Sequence, residues 1–152
     1  MTKIKFAVVG QGHIGKRHAE MIRRGENCEL IAVCDTLPKE KLGLDSLTEN
    51  FYSNIDDLLK AHPEVEVVNI CTPNGLHATH ALKALDASKH VVVEKPMALS
   101  KSDCKAACIF GLNSLIDFLA IFCCRLNCCE GFNSLAIKVY FLASIASIIF
   151  PA

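Results

Sequence analysis

KFAVVGQGHIGKRH, residues 5–18, passes from an apolar run to a helical pattern through three glycines. Phe6 to Val9 is short, apolar and ended by Gly10, which is how a strand buried in a parallel sheet reads. From His13 onward, Ile14, Ala19, Met21 and Ile22 set one apolar side against arginines on the other, and Gly25 supplies a stop. Between strand and helix lies Gly10-x-Gly12-x-x-Gly15. Such a triplet is weak evidence alone, but here it has the strand-to-helix context that its chemistry needs. Gly10 permits a tight turn, Gly12 lets the backbone approach a pyrophosphate, and Gly15 lets helix and strand pack closely. The anion then faces a helix N-terminus, where free N–H groups and the helix dipole favour negative charge. His13 and Ile14 lie inside this loop and join the glycines as cofactor-binding candidates.

Asp35 completes the fingerprint. It ends a second apolar strand, CELIAVCD, 20 residues after Gly15. A carboxylate there can accept hydrogen bonds from both hydroxyls of an adenosine ribose, and its charge repels a 2′-phosphate, so NAD is expected over NADP. Further strands follow in FYS, VEVVNICTP and KHVVVEKP, separated by helical stretches IDDLLKAHP and NGLHATHALKALDAS. LSKSDCKAA opens another helix, with Ser100 as its N-cap and Asp103 three residues on. This alternation predicts β-α-β units and a Rossmann-type, doubly wound parallel sheet over residues 1–107, with ligands outside the carboxyl ends of the strands. Two more strand ends carry polar residues: Thr72-Pro73-Asn74 with His77 three residues on, and Glu94-Lys95-Pro96. Lys95 is the catalytic candidate, since a cation at the crevice can hold a substrate oxygen or help move its proton. His18 is expected to pack or to hydrogen-bond beneath the loop. His62, His80 and His90 read as ordinary helix or surface residues.

Read together, GQGHIGKRH, CDT, TPNGLH and EKP resemble, in order, the glucose–fructose oxidoreductase and inositol dehydrogenase family, often called Gfo/Idh/MocA. The resemblance covers about residues 3–107. It implies that Lys95 is the active-site lysine near the nicotinamide, with Glu94 and His77 on that side of the cofactor pocket and Thr72, Pro73 and Asn74 lining it. It implies NAD-dependent oxidation of a ring hydroxyl of a sugar, nucleotide sugar, inositol or related polyol. Members of this family continue with a sixth strand and then a second α+β domain, which supplies a dimerisation sheet, much of the substrate pocket, and a further aspartate and histidine. That domain is not recognisable in residues 108–152, which hold no histidine and only Asp117 as an aspartate. The chain is therefore expected to be truncated to the cofactor-binding domain and inactive alone, its oligomeric state is left open, and the alternative reading is a non-catalytic NAD-binding module, membrane-associated through its tail.

Composition changes sharply at about residue 107. The 16 basic and 16 acidic residues cancel, which argues against a nucleic-acid partner, and all but Asp117, Arg125, Glu130 and Lys138 precede residue 108. Five of the nine cysteines follow it. The apolar run at the N-terminus is too short for a secretory signal, so a cytoplasmic protein with reduced thiols is expected. The tail is expected to be apolar and helical, and it admits three readings. A membrane anchor is disfavoured because Asp117, Arg125 and Lys138 interrupt every run approaching the roughly 20 residues a span needs. A zinc site at Cys123, Cys124, Cys128 and Cys129 lacks the usual paired spacing, so no metal is expected. The preferred reading is a segment not evolved with this fold, as a shifted reading frame or a misassigned gene would produce.

Overall fold

The computed structural model describes residues 2–106 and the strand Phe118–Ala120. The first strand, β1 (Ile4–Val9), runs into helix α1 (His13–Arg24). Then come β2 (Cys28–Cys34), the single turn α2 (Lys39–Leu42), β3 (Asn50–Tyr52) and α3 (Ile55–Ala61). Strand β4 (Val67–Ile70) leads through a 3₁₀ turn (Asn74–Leu76) to α4 (His77–Asp86), and β5 (His90–Val93) leads to a short helix, α5, over 101–106. The last strand is β6 (Phe118–Ala120).

The strands lie in the order β3-β2-β1-β4-β5-β6, and every recorded pairing is parallel. The chain therefore starts in the middle of the sheet, winds outward to β3, then returns to the other side of β1. That reversal leaves a crevice above the ends of β1 and β4, where a doubly wound sheet binds its ligands. The β1–β2 register slips by one residue between Phe6 and Ala7, where Ile31 bulges out of the pairing.

Alternation along the strands builds two cores, because successive side chains point to opposite faces. Phe6, Val8, Val33, Val67 and Val92 pack against Ala19 and Ile22 of α1. On the other face, Ala7, Val9, Ala32, Val68, Ile70, Val91 and Val93 meet Ile55 and Leu58 of α3, Ala81, Ala84 and Leu85 of α4, and Cys104 of α5. The buried face of α1 is Gly15, Ala19 and Ile22, at helical spacing; Ile14, expected on that face, is instead exposed.

Among the described residues two helices carry side-chain caps, α5 at Ser100 as expected. The Asn54 side chain accepts a hydrogen bond from the Asp57 N–H at 2.8 Å, and Ser100 Oγ accepts one from the Asp103 N–H at 3.1 Å. Gly25 ends α1, and Gly43 closes α2 at φ 64. Of the tail, only the backbone of Phe118–Ala120 is described, and it is a strand paired with β5 rather than a helix. A strand there satisfies the open edge of β5, which a helix in its place cannot do. The anchor, zinc and reading-frame readings of 108–152 fall otherwise outside the described residues. Among those residues no helix is long and apolar enough to cross a membrane, and no cluster of three metal-ligating side chains occurs.

The cap of α3 gives a direct measurement: Asn54→Ala removes a partner from an otherwise unpaired first-turn N–H and is expected to lower unfolding free energy by about 1 kcal/mol in urea titration.

Candidate functional site: the carboxyl ends of β1, β2, β4 and β5

The three glycines of the loop do three different things. Gly10 sits at φ 92, and a Cβ there would lie 2.6 Å from the Cys71 carbonyl oxygen and 2.9 Å from the Thr72 nitrogen. The loop after β1 is thus pressed onto the chain leaving β4. A Cβ on Gly15 would lie 1.7 Å from the Gly10 carbonyl oxygen, so α1 can leave the turn at this angle only from a glycine. A Cβ on Gly12 would meet nothing within 4 Å. Its backbone faces open space at the start of α1, no side chain caps the helix there, and the first-turn N–H groups have no partner within the helix. An open, anion-attracting cradle bounded by two sterically required glycines fits a pyrophosphate.

Asp35 reaches back to this loop. Its Oδ2 accepts a hydrogen bond from the Gln11 N–H at 2.6 Å and its Oδ1 one from the Leu37 N–H at 2.9 Å. Each carboxylate oxygen keeps a further lone pair for a ribose hydroxyl. Gln11 itself is buried, its side-chain amide donating to the Val8 carbonyl at 3.4 Å. His13 and Ile14 are exposed at the loop's rim.

Beyond β4, Thr72 is half-buried and Pro73 and Asn74 are exposed. His77 is buried, with Nε2 at 2.6 Å from the Thr72 carbonyl oxygen and Nδ1 at 2.6 Å from the Pro96 carbonyl oxygen. Both ring nitrogens are thereby taken up by the protein itself. His80 contacts Thr72 Oγ1 through Nδ1 at 3.2 Å, and burial, helped by nearby Lys83, lowers its pKa. Beyond β5, Lys95 is exposed and its ammonium has no ion-pair partner among the described residues; the Lys95–Pro96 peptide is cis.

Glu94 is tied into a chain of polar groups under the loop. Its Oε1 lies 3.0 Å from His18 Nε2, and His18 Nδ1 lies 3.1 Å from Asn69 Nδ2. The Asn69 amide nitrogen can only donate, so His18 Nδ1 accepts and its Nε2–H donates to Glu94. Burial lowers the His18 pKa, against the opposing pull of Glu94, which agrees with a neutral ring. Cys71 beside this group has its thiol pushed up to about 12, by burial first and Glu94 second, and is no nucleophile at neutral pH.

The structure therefore brings the carriers of all four motifs to one edge of the sheet. It also adds residues that the sequence reading passed over. Gln11 occupies a variable position of the glycine triplet, and nothing in sequence marks its backbone N–H as the partner of Asp35. Asn69 did carry a signal: a lone amide inside a strand that is otherwise fully buried must find a hydrogen bond. The His18–Glu94 contact spans 76 residues of sequence and had none.

Residues 4–109 match the family described as "Oxidoreductase family, NAD-binding Rossmann fold", GFO_IDH_MocA. The chain belongs to this family. A dehydrogenase of Comamonas testosteroni, 1-carboxy-3-chloro-3,4-dihydroxycyclo hexa-1,5-diene dehydrogenase, is 39% identical over 106 residues, which cover 66% of this chain and 26% of that protein. Glucose-6-phosphate 3-dehydrogenase of Bacillus subtilis is 35% identical over 100 residues, 63% of this chain and 27% of that one. The crystal structure of the WlbA dehydrogenase from Bordetella pertussis in complex with NADH and UDP-GlcNAcA superposes with a TM-score of 0.72 at 31% identity, over 79% of this chain and 35% of that one. The chain thus spans between a quarter and a third of the curated relatives it matches. Its described part is the NAD-binding Rossmann domain of the Gfo/Idh/MocA family.

Two outcomes follow from the geometry. Gly15→Ala is expected to prevent folding or to destabilise by more than the roughly 1–3 kcal/mol of ordinary overpacking, while Gly12→Ala leaves the thermal midpoint within a few degrees, both read by circular dichroism. The lowered His18 pKa also sets a pH dependence. The unfolded histidine takes up a proton as pH falls through 6.5 and the folded one does so only at lower pH, so stability is full above 6.5 and declines below it. Unfolding free energy is expected to fall from about pH 7.5 to about pH 5.5, and less steeply in His18→Gln, with the same-signed share of His80 remaining.

Proposed function

We propose that this chain is the cofactor-binding part of an NAD-dependent dehydrogenase acting on a hydroxyl of a sugar, nucleotide sugar or polyol, in the cytoplasm. The observation that carries the reading is that an open glycine cradle, an acid at the end of β2 and a lysine at the end of β5 with no ion-pair partner among the described residues share one edge of a family-typical sheet. The names of the relatives agree with the substrate class.

Each residue then has a part. Gly12 and the first-turn N–H groups of α1 hold the pyrophosphate, with His13 and Ile14 along its rim and Gly10 and Gly15 shaping the turn. Asp35 accepts from the ribose hydroxyls and disfavours a 2′-phosphate. Thr72, Pro73 and Asn74 line the pocket beyond β4, with His77 and Glu94 on its nicotinamide side, where their hydrogen bonds make them supports of the wall. NAD when bound supplies the acceptor for a hydride leaving a carbinol carbon. Lys95 donates a hydrogen bond to the hydroxyl oxygen on that carbon and, as a cation, favours its loss of a proton. The family resemblance assigns the group that takes this proton to the second domain. Ile14, Leu37, Leu76 and Leu99 are exposed, and each follows the carboxyl end of a strand. They give this edge an apolar rim suited to a covering partner such as cofactor and domain.

A second reading is an NAD-binding module without turnover, supported by residues 108–152 holding no histidine and only Asp117 as an aspartate that could take the proton. Titration with NADH, followed by its fluorescence, separates these from error. We expect saturable NADH binding, weaker binding of NADPH, and loss of NADH binding in Gly12→Ala. Binding without NAD reduction across glucosides, UDP-sugars and inositols supports the module. No binding of NADH to the folded chain sinks both.

A further inference from the structure

The Glu94-Lys95-Pro96 turn leaves the sheet with little backbone anchorage. Its last ladder bond is from the Glu94 N–H to the Ile70 carbonyl at 3.0 Å. The Lys95 N–H reaches only Glu94 Oε2, at 3.3 Å, and Pro96 has no N–H to donate. The core resumes at Met97 and Ala98, both buried. Between Val93 and Met97 two histidines hold the turn. His18, from α1, donates to the Glu94 side chain at 3.0 Å, and His77, from the start of α4, lies 2.6 Å from the Pro96 carbonyl oxygen. One comes from the glycine motif and the other from the Thr-Pro-Asn motif.

We propose that His18 and His77 are positioning residues for Lys95, fixing the residue on either side of it to the phosphate-loop helix and to the turn after β4. This rests on the reading of Lys95 as the substrate-facing lysine. A lysine has a flexible four-carbon stem, so where its ammonium can reach is set by its backbone. A second effect is electrostatic. Glu94 adjoins Lys95 and is its nearest opposite charge in sequence. With Oε1 bonded to His18 and Oε2 turned to the Lys95 backbone N–H, the carboxylate is kept from closing on the ammonium. The rigid imidazole suits both sites because its two nitrogens lie on different sides of one ring. His18 links Asn69 to Glu94, and His77 lies between the Thr72 and Pro96 carbonyls. Carbonyl oxygens only accept and a neutral imidazole has one N–H, so the clamp requires the His77 proton on Nδ1, toward Pro96.

Amide variants separate the two arms of each ring. An asparagine amide lies near the Nδ1 position and a glutamine amide near Nε2. His18→Gln and His77→Asn retain a donor toward the turn, while His18→Asn and His77→Gln retain only the far arm. The measurement is the backbone ¹⁵N order parameter of Lys95 in the full chain without cofactor. We expect a value near the rigid limit of about 0.85 in the parent, in His18→Gln and in His77→Asn, and one falling toward about 0.6 in the other two, with Val92 and Val93 unchanged. A mobile Lys95 in the parent overturns the clamp, and so does equal behaviour within each pair, which packing alone would give. If the His77 variants fail to fold, the parent and the His18 pair still decide. Adding NAD⁺ to chain carrying ¹³C-dimethylated Lys95 tests the underlying reading separately. A shifted methyl signal supports it. A rigid Lys95 whose signal ignores bound NAD⁺ leaves the clamp standing and removes its catalytic meaning.

Discussion

The contact on which the rest depends is the approach of the β1–α1 turn to the chain leaving β4. Gly10 lies against the Cys71–Thr72 peptide, and Gly15 lies against the carbonyl of Gly10. No side chain fits between these three backbones. Their closeness sets the angle at which α1 leaves, and with it the position of Ala19 and Ile22 on the sheet and of His18 over Asn69. It also sets the open space at Gly12. Steric necessity at two positions thus creates vacancy at a third, and the vacancy is the useful part.

Periodicity and punctuation were enough to read most of this architecture. The runs 6–9, 67–70 and 91–93, apolar but for Asn69, read as strands buried on both faces, and the glycine triplet between a strand and a helix fixed how the first unit turns. Helix α1 was legible too, although the apolar Ile14 misled, since spacing alone does not say that its turn lies at the rim of the crevice. Residue types at strand ends made Asp35, Thr72 and Lys95 candidates because a parallel sheet brings all such ends to one edge.

What sequence could not carry is which side chain meets which. The Asp35 carboxylate binds the Gln11 N–H across 24 residues, and Glu94 meets His18 across 76. These contacts are consequences of strand order: β1 lies between β2 and β4, and β5 lies next to β4. A motif list treats the four segments as separate contributions to a pocket. In the folded chain they are joined, the histidine of the first holding the glutamate of the last, and the histidine of the third holding the proline of the last. The Asn69 oxygen is the one buried side-chain polar atom among the described residues with no partner, and it lies in the amide that orients His18.

The bonds that Asp35 makes to its own loop bear on how such a domain, with the acid read as a ribose ligand, changes its cofactor over evolutionary time or in the laboratory. Exchanging the acid for a neutral or basic residue is the obvious route from a ribose hydroxyl to a 2′-phosphate. Here the same carboxylate receives the N–H of Gln11 and that of Leu37. An amide in its place keeps one acceptor and turns a donor toward the other N–H, and alanine or glycine presents no acceptor. Preference and loop geometry are therefore inherited together. A viable route must first supply new acceptors for the two N–H groups, and only afterwards release the charge.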